Sequence, residues 1–163
     1  MEHIFQNKSF LECRVKGKHF YFNKQSLPVI TWDDVITCFN LNVANNLEIK
    51  ELGNYGIVLH NHTGIDHADT FLKYYSKLDP AVPSSAHIYI SFLDTSNTFG
   101  KHKDTSDVLF WQAIGSTHWV IDDTGFVFNY ILKQNELIYV PRGMYHSVTP
   151  LTPRVGISLG LDY

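Results

Sequence analysis

The pattern of apolar and polar positions changes near residue 86. From there onward apolar residues often alternate with polar ones, as in HIYISF at 87–92, and the short runs are separated by Gly, Pro, Asn and Asp. Alternation with a period of two is typical of strands, and regular turn signals between short strands indicate an antiparallel sandwich or jelly roll. Counted generously, residues 86–163 hold about eight such strands. We therefore predict a mainly β fold for this part.

The preceding part carries helical signals. Thr31 and Asp34 have the spacing of a capping box, so TWDDVITCF should begin a short helix. A second helix is expected within residues 64–79, where apolar side chains recur at helical spacing and Pro80 ends the pattern. Between them, YGIVLHNH has the pattern of a strand that runs into a loop.

The last predicted strand, RVGISLGL, separates two kinds of side chain. One face carries Val155, Ile157, Leu159 and Leu161, and the other carries Arg154, Gly156, Ser158 and Gly160. Small residues with one Arg and one Ser suit the wall of a cavity that holds a polar, anionic ligand. The alternative is the solvent face of a surface sheet, although such a face favours Lys, Thr and Glu over two glycines. The pattern alone leaves both interpretations open.

Candidate metal ligands lie in the same half of the chain. His102 and Asp104 are two residues apart, so in an extended segment both side chains point to one side. His146 follows a Pro–Gly turn at the start of another predicted strand. Two histidines and one carboxylate form the facial triad that holds non-haem Fe(II) in oxygenases and leaves positions open for cosubstrate and oxygen. By spacing alone, an exposed strand end with an unrelated turn histidine explains the same residues.

Two longer segments resemble a known family. Residues 90–119 resemble the barrel core of JmjC-type 2-oxoglutarate oxygenases, above all the ribosomal-protein hydroxylases and the asparaginyl hydroxylase that acts on hypoxia-inducible factor. The matching positions are His102, Asp104, Asp107-Val108-Leu109-Phe110, Gln112, Gly115 and Trp119. Residues 130–151 are similar to the family's Gly-Asp-x-Leu-Tyr-x-Pro-x-Gly-x-x-His segment and to the second cupin motif, with Asn135 in the first Gly position. Asn tolerates the left-handed backbone better than other non-Gly residues, so this exchange is mild.

The resemblance covers roughly residues 86–163. It implies a double-stranded β-helix, which is a cupin-like jelly roll, and an Fe(II)- and 2-oxoglutarate-dependent oxygenase. His102, Asp104 and His146 would be the metal ligands, with no catalytic residues beyond them. The substrate would be hydroxylated while 2-oxoglutarate is decarboxylated to succinate.

One position departs from the family pattern. The family usually holds the distal carboxylate of 2-oxoglutarate with a Lys or Arg two positions after the glycine equivalent to Gly115, and that position is Thr117 here. Either 2-oxoglutarate does not bind, or the basic anchor is elsewhere. The end of the chain resembles the prolyl hydroxylases, in which an Arg of the last strand serves this purpose, and we favour Arg154 as a relocated anchor. Ser158, Tyr89 and Thr117 itself are the further candidates for cosubstrate binding.

A second group of histidines has metal-like spacing. His60, His62 and His67 form an HxH-x4-H cluster, but the only nearby carboxylates are Asp66 and Asp69. We interpret the segment as a solvated loop that leads into a helix. His118, next to the Trp of the family pattern, is interpreted as structural.

Composition narrows the classes of protein. The chain has 163 residues and a net charge of −3, with 14% aromatic and 18% charged residues. This length fits one domain, with a helical or mixed covering at 1–85 and the jelly-roll core at 86–163. Ample apolar surface excludes a disordered chain, and the charge excludes nucleic-acid binding driven by a positive surface.

Cellular setting and partners follow only in outline. Cys13 and Cys38 are too few for a disulfide framework, and neither a signal peptide nor an apolar run of membrane-spanning length is evident, so we expect a cytoplasmic protein without a membrane partner. The substrate is expected to be a small molecule, a peptide or a protein, and the oligomeric state stays open, a homodimer included. Two rival functions remain: a cupin metalloenzyme that does not use 2-oxoglutarate, and a non-catalytic ligand-binding jelly roll.

Overall fold

A computed structural model describes residues 1–60 and 64–163 of the chain. The helices are α1 (Glu2–Phe5), α2 (Lys8–Val15), α3 (Trp32–Ala44) and α4 (Asp66–Ser76). The strands are β1 (Phe20–Phe22), β2 (Ile49–Gly53), β3 (Gly56–Leu59), β4 (Ser84–Ser91), β5 (Ser106–Ile114), β6 (Thr117–Asp123), β7 (Phe126–Leu132), β8 (Leu137–Val140), β9 (Tyr145–Pro150) and β10 (Arg154–Asp162).

The strands form two antiparallel sheets that pack face to face. Within the described residues, the large sheet has the order β1-β8-β5-β10-β4-β3-β2 and the small sheet the order β7-β6-β9. Their facing sides share a hydrophobic cluster that includes Phe110 and Ile138 from the large sheet and Trp119 and Leu132 from the small one. The predicted jelly roll is confirmed.

Strand β10 lies in the middle of the large sheet, between β5 and β4. Its apolar side chains Val155, Ile157, Leu159 and Leu161 are fully buried in the main core, on the side covered by α4. Its other face looks between the two sheets, where Arg154 and Ser158 line a cavity. The predicted assignment of the two faces is therefore correct, and the small-residue face belongs to a cavity rather than to the solvent.

The N-terminal part packs α-helices against the main core, and its strands extend the large sheet. α3 starts at the predicted capping box, in which the Thr31 hydroxyl accepts from the Asp34 N–H and the Asp34 carboxylate accepts from the Thr31 N–H. The helix continues to Ala44, beyond the short segment predicted. β3 was expected, whereas β1 and β2 are too short and too irregular in pattern to be seen in the sequence.

The C-terminal half has fewer strands than the generous count of eight. Within the described part of the chain, residues 84–163 form the seven strands β4–β10. The stretch around His102 was treated as extended, and it contributes only a backbone bridge to His146. No helix among the described residues is long and apolar enough to cross a bilayer.

Replacing Gly156 with Ala should destabilise the protein by about 1–3 kcal/mol, the usual cost of overpacking. A Cβ at this position of β10 would collide with the ring of Phe110, which lies directly over the glycine. Urea denaturation of the single variant and of a Gly156→Ala/Phe110→Leu double variant measures the effect, and the smaller side chain should recover part of the loss. Wild-type stability of the single variant would contradict this packing.

Candidate metal and anion site

His102, Asp104 and His146 converge between the two sheets. His102 and His146 exchange two backbone hydrogen bonds, with N–O distances of 2.9 and 2.8 Å, so the segment before β5 is fixed against the start of β9. Their imidazole rings lie with centroids 4.3 Å apart. Asp104 faces both rings, with its oxygens 3.7 Å from Nε2 of His102 and 3.5 Å from Nε2 of His146.

Backbone carbonyls select the ring nitrogen that each histidine presents. Nδ1 of His102 lies 2.9 Å from the Gly100 oxygen, and Nδ1 of His146 lies 3.1 Å from the Met144 oxygen. A carbonyl can only accept a hydrogen bond, so each Nδ1 carries the proton and each Nε2 lone pair is left toward Asp104. This is the outer-shell arrangement that orients metal-binding histidines.

The surroundings of His146 favour its neutral form. The side chain is only 4% exposed, and this burial, followed by the proximity of His102, lowers the pKa of His146 below its ordinary value. The Trp119 ring stacks on the imidazole at 5.6 Å with an interplanar angle of 17° and restricts its rotation. A neutral imidazole in a fixed orientation is the form that binds a metal.

The three side chains fit a single divalent cation. Their ligand atoms all lie within 4.8 Å of one another. Two ligands with bonds of about 2.1 Å stand about 3.0 Å apart at right angles and about 4.2 Å apart when opposite, so the Asp104 distances fall in the required range. Two imidazoles and one carboxylate are the donor set of non-haem Fe(II) sites.

Arg154 lies in the cavity next to this triad. We call this space the arginine cavity; its volume is about 40 Å³, and it is lined by Leu52, Tyr89, Thr98, Phe99, Gly100, His102, Asp104, Val108, Phe110, Trp119, His146, Val148, Arg154 and Ser158. Arg154 is 2% exposed, and its Nε donates to the Ser91 hydroxyl at 3.0 Å. Burial lowers the pKa of Arg154 to about 10, which leaves it cationic at neutral pH.

The charge of Arg154 lacks a counter-ion in the described part of the chain. Its Nη1 is buried without a hydrogen-bond partner, and no carboxylate there forms an ion pair with it. An unpaired buried charge is costly, and a missing donor–acceptor contact adds to that cost. The position therefore suits an anion bound between Arg154 and the triad.

The other predicted cosubstrate residues lie in different places. Tyr89 and Ser158 line the arginine cavity. Thr117 is fully buried beside it, where its hydroxyl donates to Oε1 of Gln112 at 2.6 Å and accepts from Nε1 of Trp119 at 3.1 Å. Thr117 thus holds the ring that stacks on His146, and a direct contact with cosubstrate stays a prediction.

A second cavity, of about 250 Å³, adjoins the first. We call it the histidine cavity; it is lined by His60, Ser85, His87, Tyr89, Phe99, His102, Asp104, Ser106, Val108, Ser158 and Gly160. The rings of His60 and His87 meet edge to face at 4.9 Å. The sequence analysis missed His87, Ser85 and Ser106 as site residues. For Ser85 and His87 the signal was the alternation that puts them on the same face of β4 as Tyr89, whereas Ser106 carries no such signal.

The remaining histidines of the sequence analysis do not join the triad. His67 lies exposed in the first turn of α4, and His62 falls outside the described residues, so the predicted HxH-x4-H cluster stays untested as a unit. Nε2 of His118 lies 3.1 Å from Oδ1 of Asn129 on the neighbouring strand, in keeping with a structural part. Among the described residues, His102, Asp104 and His146 are the one group of three close enough to share an ion.

Lowering the pH below about 6.5, the ordinary pKa of histidine, should destabilise the metal-free protein. Burial, and then His60, lower the pKa of His87 in the folded chain, although Asp162, Asp104 and Glu48 oppose the shift. Between the two pKa values the unfolded chain binds more protons, so the free energy of unfolding decreases as the pH falls.

Urea denaturation at about pH 7 and pH 5, with a chelator present, measures this effect. In His87→Gln the free energy of unfolding should decrease less between the two pH values than in the wild type. The decrease that remains is expected from His146, because its pKa is lowered too. An identical pH dependence in both proteins would contradict the assignment to His87.

Comparison with known proteins gives a structural match only. No family model and no curated protein matches the sequence. The structure of the ribosomal oxygenase YcfD from Escherichia coli in complex with cobalt and 2-oxoglutarate is similar with a TM-score of 0.74, at 15% identity, over 95% of this chain and 51% of that one. The chain has a cupin-like double-stranded β-helix fold.

A cupin enzyme with a lower TM-score is also similar in structure. An oxalate decarboxylase of Lactobacillus farciminis in a formate complex gives a TM-score of 0.54 at 14% identity, over 73% of this chain and 32% of that one. The chain spans about half the length of the YcfD structures it matches. At these identities the likeness establishes the fold.

Proposed function

We propose that this protein is an Fe(II)- and 2-oxoglutarate-dependent oxygenase. The observation that carries the proposal is the shared cavity, in which a two-histidine, one-carboxylate triad faces a buried arginine without a counter-ion. A metal-chelating dicarboxylate needs both features, one at each end. The match to YcfD, whose structure is described with cobalt and 2-oxoglutarate, supports this function.

His102, Asp104 and His146 would hold the iron through Nε2, a carboxylate oxygen and Nε2. Iron loaded with 2-oxoglutarate and O₂ supplies the oxidising chemistry: one oxygen atom enters a substrate C–H bond as a hydroxyl, and the other enters succinate as CO₂ is released. The chain contributes fixed ligands, since the Gly100 and Met144 carbonyls hold both imidazoles in one tautomer and orientation.

Arg154 would bind the distal carboxylate of 2-oxoglutarate. Ser91 occupies its Nε, and the unpartnered Nη1 is available for the carboxylate. Charge-assisted hydrogen bonds of this kind are strong in a site that excludes water. Ser158 and Tyr89 would donate further hydrogen bonds; burial raises the pKa of Tyr89 to about 12, so its hydroxyl keeps its proton.

Aromatic side chains would keep water from the reaction. Phe99, Phe110 and Trp119 line the arginine cavity together with Val108 and Val148. Through its hydrogen bond to Trp119, Thr117 would act on the orientation of His146 rather than supply the charge found at this position in the family.

Succinate formation tests the proposal. Protein with Fe(II), ascorbate and 2-oxoglutarate under air should release succinate slowly without any added substrate, and Asp104→Ala should lower this to the background without enzyme. Metal content is measured in parallel. Metal binding without succinate would favour a cupin metalloenzyme of other chemistry, and the absence of both would favour a non-catalytic jelly roll.

We infer a reducing, cytoplasmic setting, which the two unpaired cysteines Cys13 and Cys38 support. The partner we propose is a substrate, either a small molecule or a segment of a peptide or protein. The net charge of −3 does not favour a nucleic-acid partner.

A further inference from the structure

The histidine cavity reaches the triad from a different side than Arg154 does. It shares His102, Asp104, Tyr89 and Ser158 with the arginine cavity, and it continues along β10 to Gly160, away from Arg154. Its polar wall consists of Ser85 and His87 from β4, Ser106 from β5, and His60, which directly follows β3. A ligand in this cavity would lie next to the metal ligands without displacing an anion at Arg154.

The two cavities differ in charge. Arg154 makes its own cavity cationic, whereas no Lys or Arg is among the described residues that line the histidine cavity. Most charged groups close to the histidine cavity are carboxylates: Asp104 lines it, Asp162 accepts from Ser106 at 2.6 Å, and Glu48 acts electrostatically on His87. In the described residues, the one cation among them is Lys50, whose ammonium lies 4.9 Å from the centroid of the Phe99 ring in the wall. An anion is therefore disfavoured here and favoured at Arg154.

A cation is disfavoured as well. Burial, and then the neighbouring His60, lower the pKa of His87 even though three carboxylates act to raise it, so together they outweigh the attraction of the carboxylates for a positive charge. His87 in the wall is therefore uncharged at neutral pH.

The wall nevertheless offers hydrogen bonding. Nε2 of His60 is buried and has no hydrogen-bond partner among residues 1–60 and 64–163. Buried polar atoms are normally satisfied, so an unsatisfied one at a cavity wall indicates a ligand group. Gly160 keeps the space open, because a Cβ there would lie 2.8 Å from the Ser85 hydroxyl.

We propose, on the basis of the oxygenase function proposed above, that the histidine cavity receives the reacting part of the substrate, and that this part is an uncharged hydrogen-bonding group such as an amide. His60 is then a specificity-determining residue that contacts the substrate through Nε2. The two cavities then bind ligands of different charge: the dicarboxylate binds at Arg154 and the neutral group binds at His60.

Propionamide and propionate test this assignment, because they have nearly the same size and differ in charge. Each is titrated into ¹⁵N-labelled protein without added metal and followed by backbone chemical shifts. Propionamide should shift the amides of Ser85, His87, Ser106 and Gly160 and saturate, and propionate should bind there at least tenfold more weakly.

Two variants link the binding to the cavity. His60→Phe should weaken propionamide about fivefold, the loss expected for one neutral hydrogen bond, while the matched control His118→Phe on β6 should change nothing. Gly160→Val should abolish binding by filling the space. Equal affinity for propionate, shifts that map elsewhere, or an unchanged affinity in His60→Phe would overturn the proposal.

A separate titration distinguishes this proposal from the function on which it rests. With Co(II) and 2-oxoglutarate, His60→Phe should bind 2-oxoglutarate within twofold of the wild type. Failure of 2-oxoglutarate to bind the wild type refutes the oxygenase, whereas normal 2-oxoglutarate binding with no preference for propionamide refutes the substrate assignment alone.

Discussion

Arg154→Ala should weaken 2-oxoglutarate binding by roughly two to three and a half decades, while metal binding stays at the wild-type level. Removing one partner of a buried ion pair costs about 3–5 kcal/mol, because the other charge is left without compensation. Arg154 is buried, and in the described residues its one hydrogen bond goes to Ser91, so nothing else there neutralises a carboxylate at this position. Calorimetric titration of 2-oxoglutarate into Co(II)-loaded protein measures the change.

Two further variants show whether the change is specific to the guanidinium group of Arg154. Arg154→Lys keeps the charge but loses the planar two-point contact, so we expect an intermediate affinity. Arg142→Ala removes an arginine whose guanidinium lies on the Tyr163 ring and which lines neither cavity, so it should leave the affinity unchanged. Normal binding by Arg154→Ala would mean that the carboxylate is held elsewhere, and the Arg154 assignment would then be wrong.

Alanine at His102, Asp104 or His146 should weaken divalent metal binding by more than about 100-fold. Loss of an outer-shell partner alone typically costs 10- to 100-fold in metal affinity, and these residues are the ligands themselves. His146→Ala should have the largest effect, because its ring is the most buried of the three and is fixed by Trp119.

Co(II) or Fe(II) titration under anaerobic conditions measures the affinities. His118→Ala is the matched control: the same residue type is removed from the small sheet, where it pairs with Asn129, and metal binding should not change. Wild-type affinity in two of the three ligand variants would contradict a site built from this triad.

The sequence predicts much of the site because its parts lie on strands with a strong pattern. In β10 polar or small residues alternate with large apolar ones without interruption, so the assignment of its two faces follows from the sequence. The pairing does not follow from it: the register of β10 against β5 shifts between Val155 and Gly156. The His102–Asp104 pair and His146 are recognisable from their residue types, although only the tertiary structure brings them within bonding distance of one ion.

Other parts carry no local signal. The hydrogen bond from Arg154 to Ser91 joins residues 63 positions apart, and the pair formed by His60 and His87 arises where β3 lies beside β4. Such pairs depend on strand order, which periodicity does not encode. Strand β1 has three residues, too few for any period, and it forms because β8 offers a free edge.

Thr117 illustrates how residue type alone can mislead. In the sequence it occupies the position where the family has a basic residue, which suggests that the anchor for the distal carboxylate is missing. In the structure its hydroxyl connects Gln112 to Trp119, and Trp119 stacks on His146. The lack of a charge at Thr117 on β6 and the buried Arg154 on β10 agree with our proposal that the anion binds to the large sheet instead of the small one.

Titration of 2-oxoglutarate into anaerobic, Fe(II)-loaded protein tests the central claim most directly. Simultaneous chelation of iron by the 2-oxo acid gives a metal-to-ligand absorption band, so the band reports that the triad holds iron and that the cosubstrate reaches it. The account predicts a saturable band in the wild type, its loss in Asp104→Ala, and a strongly right-shifted titration in Arg154→Ala. A wild-type protein that binds iron but develops no band at any accessible 2-oxoglutarate concentration would contradict the account.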